Sequence, residues 1–377
     1  MAYRILHIIT TLSMGGAESM LYKLLTHASN KSIFNHRVVS LSGPGYYSSF
    51  LKQNGIPVHH LSLDAGAPKP KNVFNVYAVV KKWNPHVIQT WLYHADLIGL
   101  LLGRFINVQK IVWNVRCSNM DLVQYPVTTR WIFNLLTKLS RSPDVIISNS
   151  VAGMRYHIQS GYVPKRWKII PNGFDTHTYR PDNEARKKMR HALGIDETSL
   201  VIGMTARYDP MKDHGNFLLA AGKINSALPD VRFVLIGKGV DENNSDITRM
   251  IKKSGLDGKV YLLGERNDLQ NIYPAFDIFT LTSFGEGFPN VLGEAMACGI
   301  PCVATNTGDS AELIDNTGKI VPPRNHDAMA QAWMEMLLLS HDQRVEFGLR
   351  ARKRVKDRYS IDNIVQRYET LYSELLK

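Results

Sequence analysis

Ser283-Phe284-Gly285-Glu286-Gly287-Phe288-Pro289-Asn290-Val291-Leu292-Gly293-Glu294-Ala295-Met296-Ala297-Cys298-Gly299 is the stretch around which this 377-residue chain is organised. A strand-like run, Asp277–Thr282, precedes it, and Gly299-Ile300-Pro301 carries a helix-stop signal. Pro289 falls where a first helical residue belongs, because its missing N–H would be unpaired there in any case. The reading is strand, glycine-rich loop, short helix. A helix start offers free N–H groups and about half a positive charge to an anion. Gly285 and Gly287 let that anion approach the backbone. Glu286 lies before the helix and Glu294 about 7 Å further along its axis. A phosphate at the helix start would have a carboxylate on either side. Carboxylates only accept hydrogen bonds, so each suits a pair of sugar hydroxyls. A sugar, a diphosphate and a ribose in a row match this spacing, and the ligand expected is a nucleotide sugar.

The flanking chain alternates strand and helix signals. Strands are expected at 3–9, 36–41, 58–63, 86–91, 110–115, 144–148 and 167–170, then at 200–205, 231–236, 259–263, 278–281, 302–304 and 319–321. Many are unbroken Val/Ile/Leu runs, which indicates burial on both faces. The fold class expected is α/β, with two doubly wound parallel sheets of the Rossmann-like kind. The turn-rich stretch from Pro171 to Asn183 separates them. It places an N-terminal domain at 1–172 and a C-terminal domain at 173–359, with a last helix at 360–377 returning to the first. Ligands bind outside the carboxyl ends of parallel strands, so two such edges facing a cleft would hold two substrates.

Composition narrows the function. A hydrophobic content of 44% is that of a globular protein, and no apolar run is long enough to span a membrane. The first residues read as a strand and not as a signal peptide. Cys117, Cys298 and Cys302 give no metal-ligand spacing and no disulfide framework, so the cytosol is expected. A net charge of +12 favours anionic partners. No nucleic-acid-binding motif is visible, and nucleic acid is not expected as a partner. The Gly-x-Gly-x-x-Gly dinucleotide fingerprint is missing, which argues against an NAD enzyme.

Other candidates lie where strands end. Gly15 and Gly16 precede the first helix and would admit a phosphate or sugar. His94 follows the fourth strand, with Asp96 expected to cap a helix over 97–102. Arg116 ends the fifth strand, where it could meet an anionic acceptor. Arg207 and Lys212 share the loop after the first strand of the second domain and could clamp a diphosphate. As a sugar–diphosphate bond breaks, fixed cations stabilise the departing charge more than the ground state. Arg266 lies on a loop suited to nucleobase contacts.

With these residues in place, the sequence resembles the GT-B fold glycosyltransferases of family 4, which carry a Glu-x7-Glu motif and transfer sugars with retention. Residues 283–305 carry most of the likeness. Glu286 and Glu294 match the two glutamates, Arg207 and Lys212 the diphosphate-binding pair, Gly15 and Gly16 the first glycine loop, and His94 a histidine beside the donor sugar. The resemblance implies that Glu286 holds sugar hydroxyls with help from the Gly287 and Phe288 amides, in a loop that includes Pro289 and Asn290. It implies that Glu294 holds the ribose. It implies a hexosyl- or N-acetylhexosaminyltransferase with no essential metal or other cofactor, using a nucleotide-sugar donor, UDP-linked. The leaving phosphate would accept the acceptor's proton on the same face. Acceptors in the family include glycans and polyprenyl- or other lipid-linked sugars used for bacterial surface polysaccharide and glycolipid. Residues 130–141 form a candidate interfacial helix, so peripheral contact with the anionic inner face of the cytoplasmic membrane is expected. The competing readings are a non-catalytic sugar-nucleotide-binding partner subunit and a sugar-nucleotide epimerase of similar architecture.

Overall fold

The structure, a computed structural model, describes residues 2–28, 33–63, 70–118 and 126–377. The chain forms two compact units, Met1–Gly173 with Ile361–Lys377, and Phe174–Ser360. In the first unit, seven strands pair in parallel: β1 (Tyr3–Ile9), β2 (Phe34–Ser40), β3 (Val58–His60), β4 (Val87–Trp91), β5 (Lys110–Val115), β6 (Val145–Ser148) and β7 (Trp167–Ile169). Their order across the sheet is β3-β2-β1-β4-β5-β6-β7. The second unit has six: β8 (Val201–Thr205), β9 (Arg232–Ile236), β10 (Val260–Leu262), β11 (Ile278–Leu281), β12 (Cys302–Thr305) and β13 (Gly318–Val321), in the order β10-β9-β8-β11-β12-β13. Each sheet reverses its winding once, between β1 and β4 and between β8 and β11. Those are the two switch points where doubly wound sheets open a crevice for ligand.

Every expected strand is present, displaced by three residues at most. β1, β4, β5, β6, β8 and β11 are buried almost throughout, which is why their sequences are continuous apolar runs instead of alternating ones. Two helices lie outside the expectation. Val151–Gln159 starts on Ser150, whose hydroxyl accepts from the Gly153 amide at 2.9 Å. Asn183–Leu193 starts on Asp182, which accepts from the Ala185 amide at 2.9 Å, and stops at Gly194 with φ +64°. Its sequence is so charged that little apolar period shows. What seats it is a buried cation. Arg190, fully buried, donates to Asp277 at 2.6 Å and to the carbonyls of Ser199 at 2.8 Å and Asp196 at 3.1 Å. Asp277 also accepts from Arg186 at 2.8 Å and from the Val201 amide at 2.8 Å. The network ties the helix to the starts of β8 and β11.

The last helix, Ile361–Leu376, lies against the first unit's sheet. Ile361, Ile364, Val365, Tyr368, Leu371 and Tyr372 share a core with Ile5, Ile9, Leu21 and Val38. Tyr372 donates to Gln89 at 2.5 Å, and the Tyr368 hydroxyl accepts from Asn114 at 3.0 Å. The same core holds a pair of buried histidines: His7 Nε2 meets His36 Nδ1 at 3.0 Å, and Trp91 Nε1 donates to His7 Nδ1 at 3.3 Å.

Two outcomes follow from these buried polar groups. Replacing Asp277 by Ala strands Arg190 in the core, which typically costs about 3–5 kcal/mol, so the melting temperature drops sharply, whereas Lys187→Ala at an exposed ion pair leaves it nearly unchanged. The second concerns pH. Burial pushes His36, His157 and His214 down to about 4 and His7 well below its ordinary value. The unfolded chain binds protons at these sites near 6.5 and the folded chain does not. Stability therefore falls as pH drops from about 6.5 toward about 4, by up to about 1.4 kcal/mol per pH unit for each histidine. Thermal melts across that range check the slope, and His36→Gln reduces it.

Candidate active site

The carboxyl edge of the second unit is built from loops stitched to one another. After β8, Asp209 accepts from the Met211 amide at 2.8 Å and holds a short 3-10 turn, Pro210–Lys212. Asp213, with φ +52°, then caps helix His214–Ala227 by accepting from the Asn216 amide at 3.2 Å. After β11, the Phe284 amide donates to the Met211 carbonyl at 3.0 Å, and Thr282 Oγ1 donates to the Lys212 carbonyl at 2.8 Å. The two loops flank the switch point, and across it Lys212 Nζ donates to Glu286 Oε1 at 2.6 Å. Both side chains are largely buried, at 17% and 12% exposure.

The loop after β12 supports Glu286 from the other side. The Asp309 amide donates to the Gly287 carbonyl at 2.9 Å, and Thr305 Oγ1 donates to the Ser283 carbonyl at 2.5 Å. Gly308 has φ +54°, and a Cβ there would lie 2.6 Å from the Glu286 carbonyl oxygen and closer still to that of Gly287. Arg324, after β13, stacks on the Phe284 ring at 3.9 Å. Nothing in the sequence signals that pairing, since the two residues meet only once β11, β12 and β13 are adjacent.

Helix Asn290–Ala297 follows. Pro289 is its N-cap, with φ −78° and ψ 99°, and not its first helical residue as the sequence reading had it. Its extended ψ keeps it outside the helix. Glu294 is buried in the helix, and Gly293 is there for packing: a Cβ would overlap the Phe174 ring. Arg352 donates to the Ala297 carbonyl at the other end and to the Thr176 carbonyl at 3.0 Å, which complements the helix dipole.

The two expected cations hold different partners. Lys212 is seated on Glu286, but Arg207 is 61% exposed and donates through Nε and Nη2 to Asp209 at 3.0 and 2.7 Å. Arg266, after β10, makes a two-pronged contact with Asp268 at 2.8 and 2.7 Å and is likewise exposed. Among the described residues no group of three or more His, Cys, Asp or Glu side chains is placed to hold a metal ion.

In the first unit, Gly15 is the N-cap of helix Gly16–Thr26, and the Glu18 carboxylate lies where a side chain at Gly15 would stand, with Oε2 2.3 Å from a Cβ placed there. Glu18 is buried, and that desolvation raises its pKa.

Helix Tyr93–Phe105 starts four residues before the expected 97–102 span. Asp96 consequently sits inside the first turn instead of capping it. It is fully buried, accepts from the Thr90 hydroxyl, and burial raises it to about 7. His94 is also in this first turn, just after Leu92, whose φ of +75° is costly for a branched residue and is the kind of strain that collects at functional sites. His94 is half-buried, which lowers its pKa, and it lines an apolar cavity of about 450 Å³ with Leu97, Ile98, Ile132, Leu41 and Leu63.

Arg116 requires a correction. It was expected to face an acceptor, but its guanidinium points inward: it donates to Asn172 and, at 3.1 Å, to the Tyr368 hydroxyl, and lies 4.5 Å over the Trp91 ring. The C-terminal helix supplies Tyr368, a partner that the order of strands could not reveal.

Two parallel, doubly wound units are the architecture of a GT-B glycosyltransferase. The family model for Glycosyltransferase Family 4 matches residues 14–178, and that for Glycosyl transferases group 1 matches residues 199–338. This chain belongs to the family 4 glycosyltransferases and is an enzyme of that class. It is 25% identical to the capsular polysaccharide biosynthesis glycosyltransferase CapM of Staphylococcus aureus, over 92% of this chain and 98% of that one. It is 27% identical to the UDP-Gal:alpha-D-GlcNAc-diphosphoundecaprenol alpha-1,3-galactosyltransferase of Escherichia coli, over 65% of this chain and 64% of that one. Among solved structures, the Anabaena protein Alr3699/HepE in complex with UDP superimposes with a TM-score of 0.83 at 24% identity, covering 98% and 100% of the two chains.

The stitching of loops makes one substitution decisive. Gly308→Ala must displace the Glu286–Gly287 backbone; the expected result is a lowered melting temperature and a loss of glycosyltransferase activity, while Gly194→Ala, at a helix end with open space around it, costs about 1 kcal/mol in stability and leaves activity intact.

Proposed function

We propose that this enzyme is a retaining, metal-independent glycosyltransferase that moves a hexosyl or N-acetylhexosaminyl group from a UDP-sugar to a lipid-linked glycan acceptor in bacterial surface polysaccharide assembly. The observation that carries the reading is the Lys212–Glu286 pair at the β8/β11 switch point. Unliganded, the two groups satisfy each other. A nucleotide sugar offers each a better partner: a diphosphate for Lys212 and sugar hydroxyls for Glu286. Exchange of one ion pair for two charge-assisted contacts avoids leaving either charge buried alone.

The proposed division of labour is the one that the family resemblance implies. Glu286 holds the donor sugar, with the amides of Gly287 and Phe288 beside it in the loop that ends at Pro289, next to Asn290 at the helix start. Glu294, within the helix, takes the ribose, and Arg266 the base. Lys212 stabilises the diphosphate as the anomeric C–O bond breaks, and Arg207 joins it by releasing Asp209. His94 is the side chain that the first unit is proposed to contribute. The departing phosphate oxygen takes the acceptor hydroxyl's proton, so the new bond forms on the face the diphosphate leaves and the anomeric configuration is kept.

The donor and acceptor classes draw support from the E. coli relative, whose name specifies UDP-Gal and a diphosphoundecaprenol-linked sugar, and the pathway from the S. aureus relative, named for capsular polysaccharide. Among the described residues no helix is long and apolar enough to cross a membrane, so a membrane-borne acceptor implies peripheral attachment.

The test is a screen of UDP-sugars against polyprenyl-diphosphate sugars with product analysis by mass spectrometry. Glu286→Ala and Lys212→Ala are each expected to lower turnover by about 10²-fold or more, with Arg207→Ala reduced less. A product anomer matching the donor and activity undiminished by a chelator are the expected accompaniments. Unchanged transfer in all three variants overturns the assignment.

A further inference from the structure

Arg324 stands at the carboxyl edge of the second unit's sheet, after β13, and takes no part in the proposed chemistry. Its φ is +57°. Asn84, Asn107 and Asp213 take positive φ elsewhere in the chain, and Asn and Asp tolerate it readily. A long basic side chain at such a backbone is held there by what surrounds it. Two prolines, Pro322 and Pro323, restrict the chain before it. After it, Asn325 accepts from the Ala328 amide at 2.9 Å and starts helix His326–Leu337. That helix is bound in turn to β11, since Trp333 Nε1 donates to Thr280 Oγ1 at 2.7 Å. Arg324 is therefore an arm on a rigid mount.

The arm ends on the loop after β11. Its guanidinium carbon lies 3.9 Å from the centre of the Phe284 ring. Strand β12 separates β11 from β13 in the sheet, so the contact joins loops two strands apart. Among the described residues Arg324 pairs with no carboxylate, and the ring is its partner. Phe284 is two residues before Glu286, and its amide donates to the Met211 carbonyl beside Lys212 at 3.0 Å. Gly285 and Gly287 flank Glu286 and offer no side chain by which the loop could be fixed. Phe284 is the nearest side chain before Glu286 that can anchor it. A planar guanidinium stacked on that ring is a directional contact that an ammonium matches only in part.

We propose that Arg324 is a positioning residue for sugar transfer: stacked on Phe284, it latches the Ser283–Gly287 loop and keeps Glu286 where it faces both Lys212 and the donor sugar. Arg324 acts through Phe284 and touches no reacting atom. The proposal rests on the reading of Glu286 as the ligand of the donor sugar, but the order of the loop is measured without any donor, so the two can fail separately.

The experiment is hydrogen–deuterium exchange of the full, unliganded chain, read by mass spectrometry on peptides that span residues 283–289. Arg324→Asn removes the cation and keeps a residue that accepts positive φ, so its melting temperature is expected to stay close to that of wild type. Exchange at 283–289 is expected to rise about fivefold, the factor that goes with losing a partly exposed cation–π contact. Arg324→Lys is expected to fall between the two. Arg350→Gln, which removes a similar stack on the Phe347 ring at 4.3 Å, is expected to exchange like wild type there. With a UDP-sugar that wild type turns over, Arg324→Asn is expected to raise the donor KM about fivefold while the acceptor KM holds. Phe284→Leu is expected to do the same, and the double variant to do no more than either single one. Unchanged exchange at 283–289 in Arg324→Asn overturns the proposal, as does a double variant in which the two effects on donor KM multiply. Loosened exchange in a chain that turns over no UDP-sugar upholds the latch and overturns the reading of Glu286 instead.

Discussion

Parallel pairing is the constraint on which everything else depends. Neighbouring strands that run the same way cannot be joined by a tight turn, so each connection crosses over through a helix. Both sheets obey this throughout. All strand ends of one kind therefore gather at one edge of each sheet, and the loops that leave those ends carry the chemistry. Lys212 and Glu286, 74 residues apart, meet because β8 and β11 are neighbours with Thr280 level with Met204. The contact is a consequence of strand order before it is a property of either loop.

Rigid support for that pair comes from outside it. The Asp277–Arg190 network holds β8 and β11 at their starts, and backbone hydrogen bonds from Phe284 to Met211 and from Asp309 to Gly287 hold the loops at their ends. An ion pair with little exposure gains from being fixed in place, because the cost of removing each charge from water is already met. The same preorganisation suits a transferase, since charge already fixed in place need not reorganise during the reaction.

Strands and most helices were legible because buried parallel strands write unbroken apolar runs and because glycine, proline and capping residues mark the breaks. Helix Asn183–Leu193 was not legible, since its charged sequence has little period and its seat is Arg190, a cation whose burial makes sense only beside Asp277. The start of helix Tyr93–Phe105 was misplaced for a related reason: Leu92 takes a positive φ that no local signal requires, and the surrounding structure imposes it. Of the candidate site, the residue types and the loops that carry them were readable, down to Glu286 and Lys212. Their contact was not, and neither were the Asp209 partner of Arg207 or the Glu18 carboxylate beside Gly15.

Local chemistry written along the chain, then, decided the kinds of element, their number in each sheet and the family to which the enzyme belongs. Tertiary structure decided which charged groups face one another. Arg116 shows why: its position at the end of β5 follows from the sequence, but its direction follows from Tyr368 on a helix 252 residues away. Apolar periodicity is a property of neighbours in sequence. A salt bridge or a cation on an aromatic ring depends on neighbours in space, and those exist only after the strands have found their order.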